Sequence, residues 1–177
     1  MSATAGNSQV ALSWTAPSSN GGSTITSYIA TTSLGGATCS SAGLTCTVTG
    51  LTNGITYSFT VRATNGVGTG PASNAMSATP ITVPGAPQSL VASQNKTKGV
   101  NLVWAAPPTD GGSPVTGYRI YRRVFGGNTF SLLATVGTVT NYRDQATKHG
   151  VAYAYLVYAV NAAGVGPASN ESTAIAK

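Results

Sequence analysis

Apolar side chains recur at every second position over several short stretches. Val10, Leu12 and Trp14 alternate with Gln9, Ala11 and Ser13, and Val100, Leu102 and Trp104 repeat the same phase later in the chain. A period of two belongs to a strand with one buried face. Ile55, Tyr57, Phe59 and Val61 form another such stretch, matched by Val151, Tyr153, Tyr155 and Val157. Thr-rich, β-branched segments between them favour a pleated surface. The stretches are separated by SNGG, TDGG, FGGN, TNG and KHG. These are turn sequences, since glycine accepts left-handed backbone and Asn or Asp bonds its own main chain. Helical periodicity is almost absent. About seven short strands in each ~90 residues predict an antiparallel sandwich.

The pattern is repeated because the sequence is. LSWTAPSSNGGSTITSY (12–28) matches LVWAAPPTDGGSPVTGY (102–118) at an offset of 90, Trp14 to Trp104. NGITYSFTVRATNGVGTGPASN (53–74) matches HGVAYAYLVYAVNAAGVGPASN (149–170) at an offset of 96, Tyr57 to Tyr153. The second copy therefore holds extra residues between its matched halves. Two copies of this size predict two small domains, 1–81 and 82–177. Between them runs ATPITVPGAPQSL (78–90). Its prolines exclude a helix and predict a stiff, extended connection.

Each copy resembles a fibronectin type III domain. The likeness rests on Trp14 and Trp104 followed by a proline and a Gly-rich loop, on Tyr28 and Tyr118, and on Tyr57 and Tyr153 of a tyrosine corner. It rests also on the Asn-x-x-Gly-x-Gly-Pro-Ala-Ser runs at 65–73 and 161–169. The resemblance implies an all-β chain of two tandem, antiparallel, seven-stranded immunoglobulin-like sandwiches. The Thr-, Ser- and Gly-rich wording is similar to that of bacterial, actinobacterial-type, secreted or surface proteins. Two departures stand out. The first copy starts at Met1-Ser2-Ala3-Thr4-Ala5, where the second has a full first strand, Gln88 to Gln94. The first strand is thus expected to be truncated by half, leaving an open sheet edge. Thr147 also replaces Leu51 before the tyrosine corner, so that corner should pack differently.

Composition narrows the chemistry. Only 7% of the 177 residues are charged, nine Lys or Arg against three Asp or Glu, with one His; soluble domains average about 25%. No apolar run approaches the ~18 residues of a membrane helix. The N-terminus lacks a basic segment before an apolar core, so it does not read as a signal peptide. The acids are Asp110, Asp144 and Glu171. On a type III fold Asp110 and Asp144 lie at opposite ends, too far apart for a glycosidase pair at ~5–9.5 Å. His149 and Asp144 share one end, yet no nucleophile elbow accompanies them, and Asn53 stands at the His position of the first copy. His149 therefore reads as a solvated turn residue. GGST and GGSP lack the Walker lysine and precede strands, so they read as turns rather than phosphate cradles. No cofactor or metal is expected, because two Cys and a distant His do not make a zinc site. Trp14 and Trp104 share the phase of core residues, which makes them core rather than sugar platforms. Asn95-Lys96-Thr97 and Asn170-Glu171-Ser172 match a glycosylation pattern and read as chance occurrences.

Cys39 and Cys46 flank SSAGLT. Antiparallel neighbours joined by a turn bring Cα atoms within disulfide reach. The pair reads as a local staple in an oxidising compartment, with two buried thiols as the alternative. The basic excess lies in the second copy, where Arg119, Arg122 and Arg123 surround Tyr121. Alternation turns Arg119, Tyr121 and Arg123 outward as a basic-aromatic stripe. Its readings are a contact for an anionic surface or a solubilising face that blunts sheet pairing. Nucleic acid is a poor fit at this charge density.

These readings describe a non-catalytic, extracellular structural or interaction module. The expected partners are proteins or further copies joined through sheet edges, in a surface or filament assembly or as a spacer in a larger secreted protein. The alternatives are a carbohydrate-binding accessory module, with Tyr121, Phe125 and Phe130 as candidate aromatics, and a phage virion decoration.

Overall fold

A computed structural model describes residues Met1–Lys177. The chain forms two compact units, Met1–Thr82 and Val83–Lys177, dividing one residue later than the repeat spacing places the boundary. Every regular element is a strand.

The first unit has seven strands: β1 (Ser2–Gly6), β2 (Gln9–Ser13), β3 (Ile25–Thr32), β4 (Thr38–Ser41), β5 (Thr45–Thr49), β6 (Tyr57–Asn65) and β7 (Met76–Ala78). They form two antiparallel sheets, β1-β2-β5 and β4-β3-β6-β7. Val10 and Leu12 of the first sheet, with Trp14 just past the end of β2, meet Tyr28, Ala30, Phe59 and Val61 of the second, as period-two burial requires.

The second unit repeats this with β8 (Gln88–Gln94), β9 (Val100–Ala105), β10 (Gly117–Val124), β11 (Ser131–Val136), β12 (Asn141–Asp144) and β13 (Ala152–Asn161). It ends in β14 (Gly164–Ala168) and β15 (Ser172–Ile175), which pair with opposite ends of β13. The expected seventh strand is thus broken in two, giving eight. In the first unit the counterpart of β14 is a single bridge, Thr64 to Thr69. The sheets are β12-β9-β8 and β11-β10-β13-β14, with β15 also on β13. Val100, Leu102 and Trp104 face Tyr118, Ile120, Tyr155 and Val157 across the core.

Three expectations need correction. The truncated strand is better formed than its length implies. All five residues of β1 pair with β2, from Ser2 opposite Ser13 to Gly6 opposite Gln9. No part of β2 is left as an open edge; Met1 takes the place Leu90 holds in the second unit and packs against the core. Ile55 is not in a strand. It is 44% exposed in the turn before β6. The turn is held by the Tyr57 hydroxyl, which accepts the Thr52 N–H at 3.0 Å. Third, the two cysteines do not lie on strands that pair with each other. Cys39 lies on β4, which pairs with β3, and Cys46 on β5, which pairs with β2.

The second corner is packed differently from the first. Its Tyr153 hydroxyl accepts the Lys148 N–H at 3.1 Å, so the corner itself is kept. Leu51 is buried in the first unit, whereas the Thr147 hydroxyl is buried without a hydrogen-bond partner. The Arg122 guanidinium lies 4.9 Å above the Tyr153 ring and donates to the Ala146 carbonyl. A cation over an aromatic face thereby covers a corner whose leucine is absent.

Candidate functional site

The basic-aromatic stripe on β10 is less free than alternation implies. Arg119, Tyr121 and Arg123 are all half-buried. Arg123 donates to the Glu171 carboxylate at 2.8 Å and lies 4.9 Å above the Phe130 ring. Tyr121 packs edge-on against Tyr158, with centroids 5.1 Å apart and planes at 66°. Arg119 makes no ion pair. Tyr158 of β13 and the residues just before β11 and β15 supply these partners, so Arg119 is the stripe cation left to meet an external anion. Among the candidate sugar-binding aromatics, Tyr121 is edge-packed, Phe130 lies under Arg123 and Phe125 is exposed by itself. They do not form the coplanar platform a sugar face requires.

The acids and the histidine are dispersed. Asp110 caps its own turn, accepting the Gly112 N–H at 2.9 Å. Glu171 is paired with Arg123. His149 is exposed on a turn. No group of three His, Cys, Asp or Glu gathers where a metal ion would sit.

Asp144 is the exception. It is fully buried at the end of β12 and accepts from Arg122 at 2.8 Å, from the Tyr155 hydroxyl at 2.9 Å and from the Ala146 N–H at 3.0 Å. Burial, followed by the negative charge of Asp144, pushes the Tyr155 phenol far above its ordinary range. Burial opposes the charge on Arg122, but its bond to Asp144 and the attraction between them outweigh this and raise its pKa. The register aligns Arg122, Asp144 and Tyr155 with Thr32, Val48 and Phe59 of the first unit. A charged, hydrogen-bonded cluster thus stands where the first unit has one hydroxyl and two apolar side chains. The sequence placed Asp144 at one end of the sandwich without marking it as core, although the aligned copies differ jointly at these three positions.

This cluster predicts a pH effect. The unfolded Tyr155 ionises near 10.0, while the folded one resists ionisation. Its contribution to stability is fully present below that pH and is lost as pH rises further. Denaturant midpoints of the second unit should therefore fall above about pH 10. Tyr155→Phe should flatten that fall; an unchanged slope would exclude Tyr155 as its source.

Cys39 and Cys46 are joined in a disulfide, with Cα atoms 6.1 Å apart. Because β4 and β5 belong to opposite sheets, the bond ties the sandwich together across its margin.

The first unit carries a groove of about 650 Å³. Pro17 and Ser19 of the β2–β3 loop form one wall, and Gly68 and Gly70 after β6 the other. Its floor includes Ile25 and Asn65. From sequence these residues were legible as turns and family markers, with no recess indicated.

A three-stranded sheet packed on one of four strands in the first unit and five in the second, a tyrosine corner in each unit and a core tryptophan at the end of each second strand agree with the family whose pattern matches residues 1–79 and 85–175, the fibronectin type III domain. The chain belongs to the fibronectin type III family. Human fast-type myosin-binding protein C is 35% identical over 108 residues, which is 60% of this chain and 9% of that protein. The chicken protein is 38% identical over 86 residues, covering 48% of this chain and 8% of its own length. The chain thus spans less than a tenth of the length of these curated relatives. Domains A168–A170 of titin superpose with a TM-score of 0.63 at 18% identity, over 97% of this chain and 60% of that structure. At that identity the likeness extends to the fold. The relatives matched are animal proteins, so the bacterial character expected from composition gains no support from them.

Proposed function

We propose that this chain is a non-catalytic structural and interaction module of an extracellular protein, serving as a spacer or as part of a surface or filament assembly. One observation carries the reading: each acid is committed to structure, Asp110 to a turn, Asp144 to a buried cluster and Glu171 to an ion pair. The lone His149 lies exposed on a turn, so no pair of groups is arranged for proton transfer. The relatives named myosin-binding protein C support a protein as the partner. Further copies of the chain are an additional partner class, because β1 is an uncharged edge strand. The extracellular setting is supported by the Cys39–Cys46 disulfide, a bond that persists in oxidising compartments. The scarcity of charge adds likeness to bacterial secreted and surface proteins.

Fractionation of the producing cells tests this reading. An antibody to the chain should find it in the medium or on the cell surface, with neither cysteine open to alkylation before reduction. Recovery from the cytosol with both thiols alkylated would overturn the extracellular assignment.

A further inference from the structure

An asparagine followed by glycine carries a latent reaction. The glycine nitrogen can attack the side-chain carbonyl carbon of the asparagine, because no side chain crowds the approach. Three such pairs occur, Asn20-Gly21, Asn53-Gly54 and Asn65-Gly66, and all lie in the first unit. The second unit carries Asp110-Gly111, His149-Gly150 and Asn161-Ala162 at the corresponding positions. The three pairs are alike in sequence, and the fold separates them.

Two are locked. Asn53 is half-buried; its amide oxygen accepts the Ser8 N–H at 2.8 Å, and its amide nitrogen donates to the Asn7 side chain at 2.8 Å. The nitrogen that would attack it, that of Gly54, donates to the Pro80 carbonyl at 2.9 Å. Asn65 is half-buried too, and its whole amide is engaged. Its oxygen accepts the N–H groups of Val67 and Gly68 at 2.9 and 3.1 Å. Its nitrogen donates to the Asn20 carbonyl at 2.6 Å and the Ser23 carbonyl at 3.4 Å. These bonds join distant segments, so each site must open before it can react.

Asn20 is not held in this way. It lies exposed with Gly21 and Gly22 in the β2–β3 loop. Its amide nitrogen, the group that would leave, donates to nothing. Its oxygen accepts the Gly22 N–H at 3.0 Å, and the Gly21 N–H donates to the Ser19 hydroxyl at 3.2 Å. Both bonds are exposed and lie within the loop, which can exchange them for water without disturbing either sheet. A Cβ at Gly22 would meet nothing within 4 Å, so the loop has room to turn.

From this we infer that Asn20 is a site of spontaneous, one-way modification by deamidation. The Gly21 nitrogen bonds to the Asn20 Cγ, the Cγ–Nδ2 bond breaks, and ammonia leaves with the Gly21 proton. Water then opens the five-membered imide at one of its two carbonyls, leaving aspartate or isoaspartate. The second unit already holds the aspartate form of this turn. Asp110 accepts the Gly112 N–H at 2.9 Å, as Asn20 accepts that of Gly22. Asn161 donates to the Asp110 carbonyl at 2.7 Å, as Asn65 does to that of Asn20. The reaction gives the first unit, whose only charged side chain is Arg62, a carboxylate. The isoaspartate form also adds a methylene to the main chain of the loop. This modification goes beyond the proposed function and is independent of the compartment.

Peptide mapping by mass spectrometry, on the full chain incubated at mildly alkaline pH, tests the inference. Replacement of NH2 by OH is expected at residue 20 at least about tenfold faster than at residues 53 and 65, where two or more hydrogen bonds must open first. In urea the three rates should converge, since the pairs are alike once the fold is gone. Asn20→Asp should fold and melt with the parent chain. Equal rates in the folded chain, or a faster reaction at residue 53 or 65, would overturn the inference. A difference that persists unchanged in urea would remove the fold as its cause. A lower melting temperature for Asn20→Asp would show that the turn does not take a carboxylate. None of these outcomes bears on the fractionation result, so the two readings are judged separately.

Discussion

Asp144→Ala is expected to destabilise the second unit by about 3 kcal/mol, at the lower end of what a broken buried pair costs. In a unit of this size that is a fall in Tm of roughly 15 °C. The carboxylate is fully buried and accepts from Arg122, Tyr155 and the Ala146 N–H. Its removal strands three donors at once, and a stranded buried donor loses its whole desolvation cost. The loss stays at the lower end because the Arg122 side chain is 25% exposed and can turn partly to water. The first unit should melt unchanged. The triple variant Arg122→Thr, Asp144→Val, Tyr155→Phe copies the residues the first unit places at these positions. It should recover part of the loss, because it leaves no buried charge or phenol without its partner, while the smaller Thr at position 122 leaves the space of the Arg122 side chain unfilled. Calorimetry resolving the two transitions checks both outcomes. A single variant within about 0.5 kcal/mol of the parent, the range of ordinary surface substitutions, would show that the cluster contributes little.

The second large effect belongs to the first unit. Cys39→Ser with Cys46→Ser is expected to lower its stability by about 2 kcal/mol on the loop-closure account. The two cysteines are 7 residues apart, so the closed loop is short and the gain modest. The bond nevertheless spans strands of opposite sheets, β4 and β5, whose only covalent link otherwise is the intervening turn. Reducing the parent protein should lower the same transition by the same amount and leave the second unit's transition in place. A first transition indifferent to reductant would rule out a stabilising role for the bond.

How far the sequence could be read depended on how local each feature is. Val10, Leu12, Trp14 and their counterparts were legible as core because strand alternation is set within a few residues. The tyrosine corners were legible for the same reason, each closing a hydrogen bond over five residues. The stripe was legible only in part. Alternation correctly turns Arg119, Tyr121 and Arg123 away from Tyr118 and Ile120, but it carries no information on cross-strand partners. Glu171 lies 48 residues from Arg123, and Tyr158 sits on a neighbouring strand. The cysteine pair could be anticipated from its short separation, while its passage between sheets could not, since a turn looks alike within a sheet and between sheets.

The chain by itself determined the class of fold, the doubling, the core phase and the scarcity of reactive groups, all of which follow from local periodicity and composition. The tertiary structure alone decided what charge and recesses are used for. Asp144 becomes a core anchor because β12 ends beside Arg122 of β10 and Tyr155 of β13, a meeting of three distant segments. The Pro-rich stretch read as a linker becomes, at Pro84, packing for the second unit. Both outcomes depend on side chains far apart in sequence being brought within bonding distance, which no periodicity encodes.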